Sequence, residues 1–399
     1  MSEWKDRFPD WDKLKFETKL THCHPADQAT GAVSTPIHQT ATFKLRAPGD
    51  ESGYVYSRSA NPTRDALQDS LAALEGGSEA LAFSSGLAAT HTVINLLKSG
   101  EHVVAGDDLY GGTPRQFNQV HAANSAIEFS YVDGRDPANI DKAVTGKTRL
   151  IWIETPTNPL LKSYDIAAIA KISKKRGVLL AVDNTFATSH LQRPLELGAD
   201  LVVYSLTKYM AGHSDTLGGA VIVNDQRLAE KLRFFQNAVG AILSPFDCWL
   251  VARGPKTLAV RLDRQSASAR TIAEHLQTLD EVREVLYPGL DGRQLLNNMK
   301  SGGGMVSFRL DGEFEDVKRF VMSTRLFTLA ESLGGVESLV NHPASMTHAS
   351  IPRETRLEYG IDDGLVRLSV GLEDAGDLID DLNSALAIYS KKRSASVVS

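Results

Sequence analysis

From about residue 60 to residue 225, short apolar runs alternate with stretches of helical periodicity. ALAF (80–83), HVVAG (102–106), LIWIE (150–154), VLLAV (178–182) and LVVY (201–204) are the apolar runs. Such continuous runs suit strands covered on both faces, and their alternation with helices predicts an α/β fold around a mostly parallel sheet. Between them, NPTRDALQDSLAALEGG predicts a helix with Asn61 as cap, Pro62 in the first turn, Leu67, Leu71 and Leu74 on one face and Gly76 as the stop. YDIAAIAKISKKRG and DQRLAEKLRFFQNAVG repeat that pattern and end at Gly177 and Gly240. After about residue 245 a long helical stretch leads into the strand-like segments GMVSFRL and LVRLSVGL. The expected organisation is an irregular N-terminal oligomerisation arm over 1–55, a large domain over 56–255 and a smaller C-terminal α/β domain over 256–399. KKRSASVVS, at the end, reads as a frayed tail.

Each apolar run gives way to polar residues of a particular kind. The five runs lead into Ser84-Ser85-Gly86, Asp107-Asp108-Leu109-Tyr110, Thr155-Pro156-Thr157-Asn158-Pro159, Asp183-Asn184-Thr185 and Ser205-Leu206-Thr207-Lys208. Loops leaving the carboxyl ends of parallel strands gather along one edge of a sheet, where ligands bind. These groups therefore converge on one crevice.

Composition narrows the class of protein. The chain has 399 residues, 42% hydrophobic, with a net charge of −6 and no basic run that would track nucleic acid. Two cysteines, Cys23 and Cys248, cannot build a disulfide framework and suit a reducing compartment. The opening MSEWKDRFPDWDK lacks the apolar core of a secretion signal, and no segment is long enough to span a bilayer, so a cytoplasmic enzyme is expected.

Ser85-Gly86-Leu87 opens a helical run, which points free amides and the positive end of a helix dipole at an anion such as phosphate. Ser205 and Thr207 offer hydroxyls beside it. Nucleotide loops do not fit: G-x-G-x-x-G is missing, and Gly146-Lys147-Thr148 lacks the upstream glycine and precedes a strand. A phosphate cradle, a carboxylate at a strand end and a lysine together meet the needs of pyridoxal 5'-phosphate (PLP). Lys208 forms an imine with the aldehyde, and Asp183 keeps the ring nitrogen protonated. His22-Cys23-His24 lacks a fourth ligand, so no metal is expected.

YSRSANPTR, SSGLAA, YGGT, ETPTNP, VDNTF, SLTKYMAGHSD, AESLGGVESL, HPASMTHA and VRLSVGLED run in order along most of the chain and resemble the motifs of the Cys/Met-metabolism family of PLP enzymes. The resemblance implies PLP-dependent transferase fold type I. It makes Lys208 the imine-forming lysine and proton shuttle, and Asp183 the partner of the ring nitrogen. Tyr110 would stack on the ring and deprotonate the incoming amine, and Asn158 would touch the ring oxygen and border the substrate. Ser85, Gly86, Leu87, Ser205 and Thr207 would hold the phosphate. Tyr56 and Arg58 would complete that site from a neighbouring subunit, in a dimer of dimers with shared active sites. Arg367 would clamp the substrate's α-carboxylate, with Arg115, Glu331, Ser332 and Tyr56 as further substrate contacts.

The resemblance is strongest to members that cleave L-cystathionine by α,γ-elimination. Glu331 matches a glutamate that reads the distal end of cystathionine, although it also reads as a helix-start carboxylate. Gly112 stands where methionine-cleaving members carry cysteine. Val55 and Asn341 replace acidic residues of other members, which leaves γ-elimination, γ-replacement and β-cleavage all open.

Overall fold

The computed structural model describes residues 10–396, apart from Pro25, Gln28, Glu51 and residues 291–294. Twelve strands form two sheets among the described residues. The first sheet contains β1 (Glu79–Phe83), β2 (His102–Gly106), β3 (Glu128–Val132), β4 (Thr148–Glu154), β5 (Leu179–Asp183), β6 (Leu201–Ser205) and β7 (Gly219–Val223). Its order is β1-β7-β6-β5-β4-β2-β3, with only β7 antiparallel to its neighbours. Strands β1, β2, β4, β5 and β6 consequently all end on one edge, as the polar loops required. β3 and β7 are additions to the five runs read from the sequence.

Burial explains the apolar runs. Leu150, Ile151, Trp152 and Ile153 of β4 are all fully buried, because packed helices cover both faces of the sheet. The helix Pro62–Glu75 forms as its sequence dictates: Asn61 Oδ1 accepts from the amides of Thr63 (3.0 Å) and Arg64 (3.4 Å), and Gly76 ends it at φ +79°. The helices Ile166–Arg176 and Gln226–Val239 end in the same way at Gly177 and Gly240.

The second sheet has the order β10-β11-β12-β9-β8: β8 (Val282–Leu286), β9 (Met305–Leu310), β10 (Thr328–Leu329), β11 (Leu339–Asn341) and β12 (Leu365–Ser369). The helix Leu258–Leu276 joins the two cores. Its Leu258 and Leu262 pack with the first sheet's core, and its Ala269, Ile272 and Leu276 pack with the second's.

Two expectations need correction. The arm is not irregular throughout, nor is all of it left for a neighbour: a helix covers Phe16–His22, and Trp11, Phe16, Leu20 and Cys23 are buried in this chain's own core. Phe16 and Leu20 are four apart and fall on one helix face, a pattern too short to stand out in the sequence. Within this segment Cys23 Sγ donates to the Leu20 carbonyl, and His24 Nδ1 is hydrogen bonded to Ser70 Oγ at 2.8 Å. At the other end, the helix Ala375–Ser396 carries the chain through residues 391–396 where a frayed tail was expected, and residues 397–399 lie outside the described residues. The expectation of no secretion signal falls largely on residues 1–9, also outside them. Among the described residues no helix is long and apolar enough to cross a membrane.

Candidate active site

The five strand ends enclose a cavity of about 180 Å³. Ser85, Gly86 and Leu87 line it after β1, Tyr110 after β2, Asn158 after β4, Asp183 at the end of β5, and Ser205, Thr207 and Lys208 at and after β6. Ser332 and Arg367 reach it from the second sheet's side.

Each polar group is held by a neighbour. Lys208 Nζ donates to Ser332 Oγ at 2.7 Å. Burial, and then the Arg367 charge, lower its pKa to about 8 against a partial opposing pull from Glu331. Asp183 Oδ1 accepts from the Thr185 amide (3.0 Å) and hydroxyl (2.6 Å), while burial pushes its pKa up to about 6. Thr185 Oγ1 also accepts from the Ser205 amide at 2.9 Å, so one threonine ties the ends of β5 and β6 together. Thr207 Oγ1 accepts from the Gly218 amide at 3.0 Å.

Arg367 is 2% exposed. Its NH1 donates to Asn158 Oδ1 at 2.8 Å and its NH2 to the Ser332 carbonyl at 2.9 Å, leaving a buried Nε without an acceptor among the described residues. An unmatched guanidinium donor beside a cavity suits an arriving carboxylate. Asn158, its oxygen committed to Arg367, has an NH₂ group left to donate. Ser332 is held at φ +90°, a costly conformation for a residue with a side chain, while serving both Lys208 and Arg367. Its hydroxyl accepts from Lys208 while its side chain lines the cavity.

These donors fit PLP. The helix Gly86–Ile94 begins at the cavity wall, and the first amides of a helix have no partner within it. A Cβ at Gly86 would lie 3.0 Å from Ser205 Cβ, so glycine leaves the cradle open at the place a phosphate needs. A buried carboxylate with a raised pKa, Asp183, calls for a cation opposite, and a protonated pyridine nitrogen is one.

Tyr110 stands at the mouth, and its loop is tightly confined. Its amide donates to Glu154 Oε2 at 3.0 Å. A Cβ at Gly111 would meet the Thr347 carbonyl oxygen at 2.3 Å, and one at Gly112 would meet the Tyr110 ring at 2.5 Å. We expect Gly111→Ala to displace Tyr110, lowering kcat about 10²-fold while PLP affinity changes little. Steady-state kinetics alongside cofactor titration check this.

The remaining expected residues lie elsewhere. Arg115 is exposed and lines a separate cavity with Asp107, Tyr131 and Tyr359. Glu331 is exposed and lines an outer cavity of about 770 Å³ that shares Thr207, Leu217 and Ser332 with the inner one. Tyr56 and Arg58 are outside the cavity lining, with the Arg58 guanidinium 5.7 Å from the centroid of the Tyr56 ring. Asn341 is buried and braces loops, its Nδ2 donating to the Ala330 carbonyl at 3.3 Å, while Val55 is exposed. Sequence reasoning missed Glu154 and Thr185 as lining residues, although both stand in quoted motifs directly at strand ends.

A family model described as Cys/Met metabolism PLP-dependent enzyme matches residues 17–387. A cystathionine gamma-lyase of Bacillus subtilis is 50% identical over 378 residues, covering 94% of this chain and 99% of that protein. A cystathionine beta-lyase of Coxiella burnetii is 47% identical over 380 residues, covering 94% and 98%. In structure, the chain is similar to a cystathionine gamma synthase from Xanthomonas oryzae in complex with aminoacrylate and cysteine, at a TM-score of 0.91 and 42% identity, with 95% and 99% covered.

Proposed function

This chain belongs to the Cys/Met metabolism PLP-dependent enzymes, and from that premise we propose that it cleaves L-cystathionine by α,γ-elimination, with water, to L-cysteine, 2-oxobutanoate and ammonia. The observation that carries the reading is the line from Arg367 through Lys208 to Glu331. Arg367 and Lys208 both bind Ser332, and the residue before it opens into the outer cavity. A substrate whose α-carboxylate is fixed at Arg367 passes Lys208 and leaves its distal amino-acid end in the outer cavity, where the Glu331 carboxylate suits an ammonium group.

PLP, when bound, supplies an electron-withdrawing ring that stabilises negative charge on the substrate carbons. The amides of Gly86 and Leu87, with Ser85, Ser205 and Thr207, would hold its phosphate, Asp183 its ring nitrogen and Asn158 its ring oxygen. Tyr110 takes the proton from the incoming amino group. The Lys208 amine then takes a proton from Cα, gives it up again and takes another from Cβ, which it can hand to the sulfur as that leaves Cγ. One base must serve both carbons, and the lowered pKa of Lys208 suits it to taking and giving protons near neutrality. Cysteine or homocysteine, which need no outer cavity, would release hydrogen sulfide as a side reaction.

A second reading is γ-replacement, in which the cysteine sulfur displaces the acyloxy group from Cγ of an O-acylhomoserine, giving cystathionine and the free carboxylate. The outer cavity has room for that second substrate. Purified holoenzyme given L-cystathionine decides: γ-elimination yields 2-oxobutanoate and β-cleavage yields pyruvate. In a parallel assay supplied with cysteine and an O-acylhomoserine, efficient cystathionine synthesis, together with little 2-oxobutanoate from cystathionine, overturns the first reading in favour of the second.

The same proposal includes a homotetramer, a dimer of dimers. Val33, Ile37, Leu45, Tyr54, Val55 and Tyr56 are exposed in the single chain, an apolar stretch a second copy would cover while its neighbour's cavity gains Tyr56 and Arg58. Two buried free thiols suit work in the cytoplasm.

A further inference from the structure

Glu154 is a buried carboxyl group that lines the cofactor cavity and has no part in the chemistry above. It ends β4 in parallel register with Asp183, the end residue of β5, so two acids occupy adjacent positions on neighbouring strands at the cavity wall. Two carboxylates placed this way cannot both ionise cheaply in a site of low dielectric. The charges that act most strongly on Glu154 are Asp183, Asp108 and Arg367, two acids against one cation. That cation is already bonded to Asn158 and the Ser332 carbonyl.

The two acids are held differently. Asp183 receives both the amide and the hydroxyl of Thr185 on one oxygen, bonds that favour its charged form. Among the described residues, Glu154 receives only the Tyr110 amide. Burial first, and the neighbouring Asp183 second, push the Glu154 pKa well above the usual carboxylate range. We propose that Glu154 is a positioning residue working as a neutral acid: one oxygen fixes the Tyr110 loop, and its retained proton leaves Asp183 as the negative charge offered to the cofactor ring. The inference rests on the PLP seat and on the role of Tyr110, and it is independent of which carbon–sulfur bond is cleaved.

The test compares Glu154→Gln and Glu154→Ala in the full-length protein. Glutamine keeps an acceptor oxygen for the Tyr110 amide and cannot ionise; alanine loses the acceptor. PLP affinity is measured by titrating apoprotein from pH 5 to 8.5, and kcat and KM are measured on whichever cleavage the wild type performs. Failure of the γ-lyase reading is thereby separated from failure of this one. Alanine is expected to lower kcat about 10²-fold, through misplacement of Tyr110, and glutamine to recover most of that loss. The pH dependence of PLP affinity in the glutamine variant should overlay the wild type. A glutamine variant as impaired as the alanine one overturns the positioning role. A glutamine variant that changes the pH dependence of PLP binding shows that Glu154 ionises in the wild type and overturns the neutral-acid role. Should the alanine variant fail to fold, the glutamine pH series still decides the latter.

Discussion

Lys208→Ala is expected to lower kcat by about 10⁴-fold while the protein still binds PLP. General acid and base catalysis by one placed group contributes up to about that factor, and here a single amine serves two carbons. The reason this lysine can serve lies in its surroundings. Burial and the Arg367 charge bring its pKa to about 8, so roughly one molecule in ten carries the free amine at pH 7. An ordinary exposed lysine offers far less than one in a hundred. Because the pKa is lowered, the free amine gains ground as pH rises through about 8. Attachment of the cofactor to apoprotein should therefore speed up from pH 6 to 8.5 and then level off. Stopped-flow absorbance checks this, and equilibrium dialysis of the alanine variant checks that non-covalent PLP binding survives. Loss of the variant's affinity for PLP would mean that Lys208 holds the cofactor and that Ser85, Gly86, Leu87, Ser205 and Thr207 do not.

The second large effect belongs to Asp183. Its carboxyl is raised from the ordinary 3.8 to about 6 by burial, so the folded apoprotein binds this proton more tightly than the unfolded chain does. For a raised acid, the apoprotein is unpenalised below the unfolded value and loses stability as pH rises from about 4 through 6. The loss is on the order of 3 kcal/mol. A cation on the ring nitrogen removes that cost, so PLP should raise Tm more at pH 7.5 than at pH 5. Asp183→Asn should make the apoprotein more stable at pH 7.5 and weaken PLP binding about 10²-fold. Calorimetry of both proteins, with and without PLP, reads the sign directly. An asparagine variant that binds PLP as tightly as wild type would remove Asp183 from its role.

Much of this site could be read along the chain because it is built from strand ends. A parallel sheet sends every carboxyl terminus to one edge, so Ser85, Tyr110, Asn158, Asp183 and Lys208 could be brought together without coordinates. The pairing of residues across strands is not written locally. Glu154 ends LIWIE and Asp183 directly follows VLLAV, but only the register of β4 against β5 makes them neighbours. Thr185 follows Asp183 by two residues, but only the fold shows that it binds both Asp183 and the Ser205 amide. Arg115 follows Tyr110 by five residues in the sequence, yet the short helix Gly112–Gln116 carries it to the exposed face of a different cavity. Nothing in the motif around Ser332 says that its hydroxyl accepts from Lys208.

Every role proposed for the site depends on the amine just beyond the end of β6. Holoenzyme reduced with borohydride, digested and mapped by mass spectrometry should carry the cofactor's mass on the peptide containing Lys208. Cofactor mass on another lysine, or none retained by a protein that is active before reduction, contradicts it.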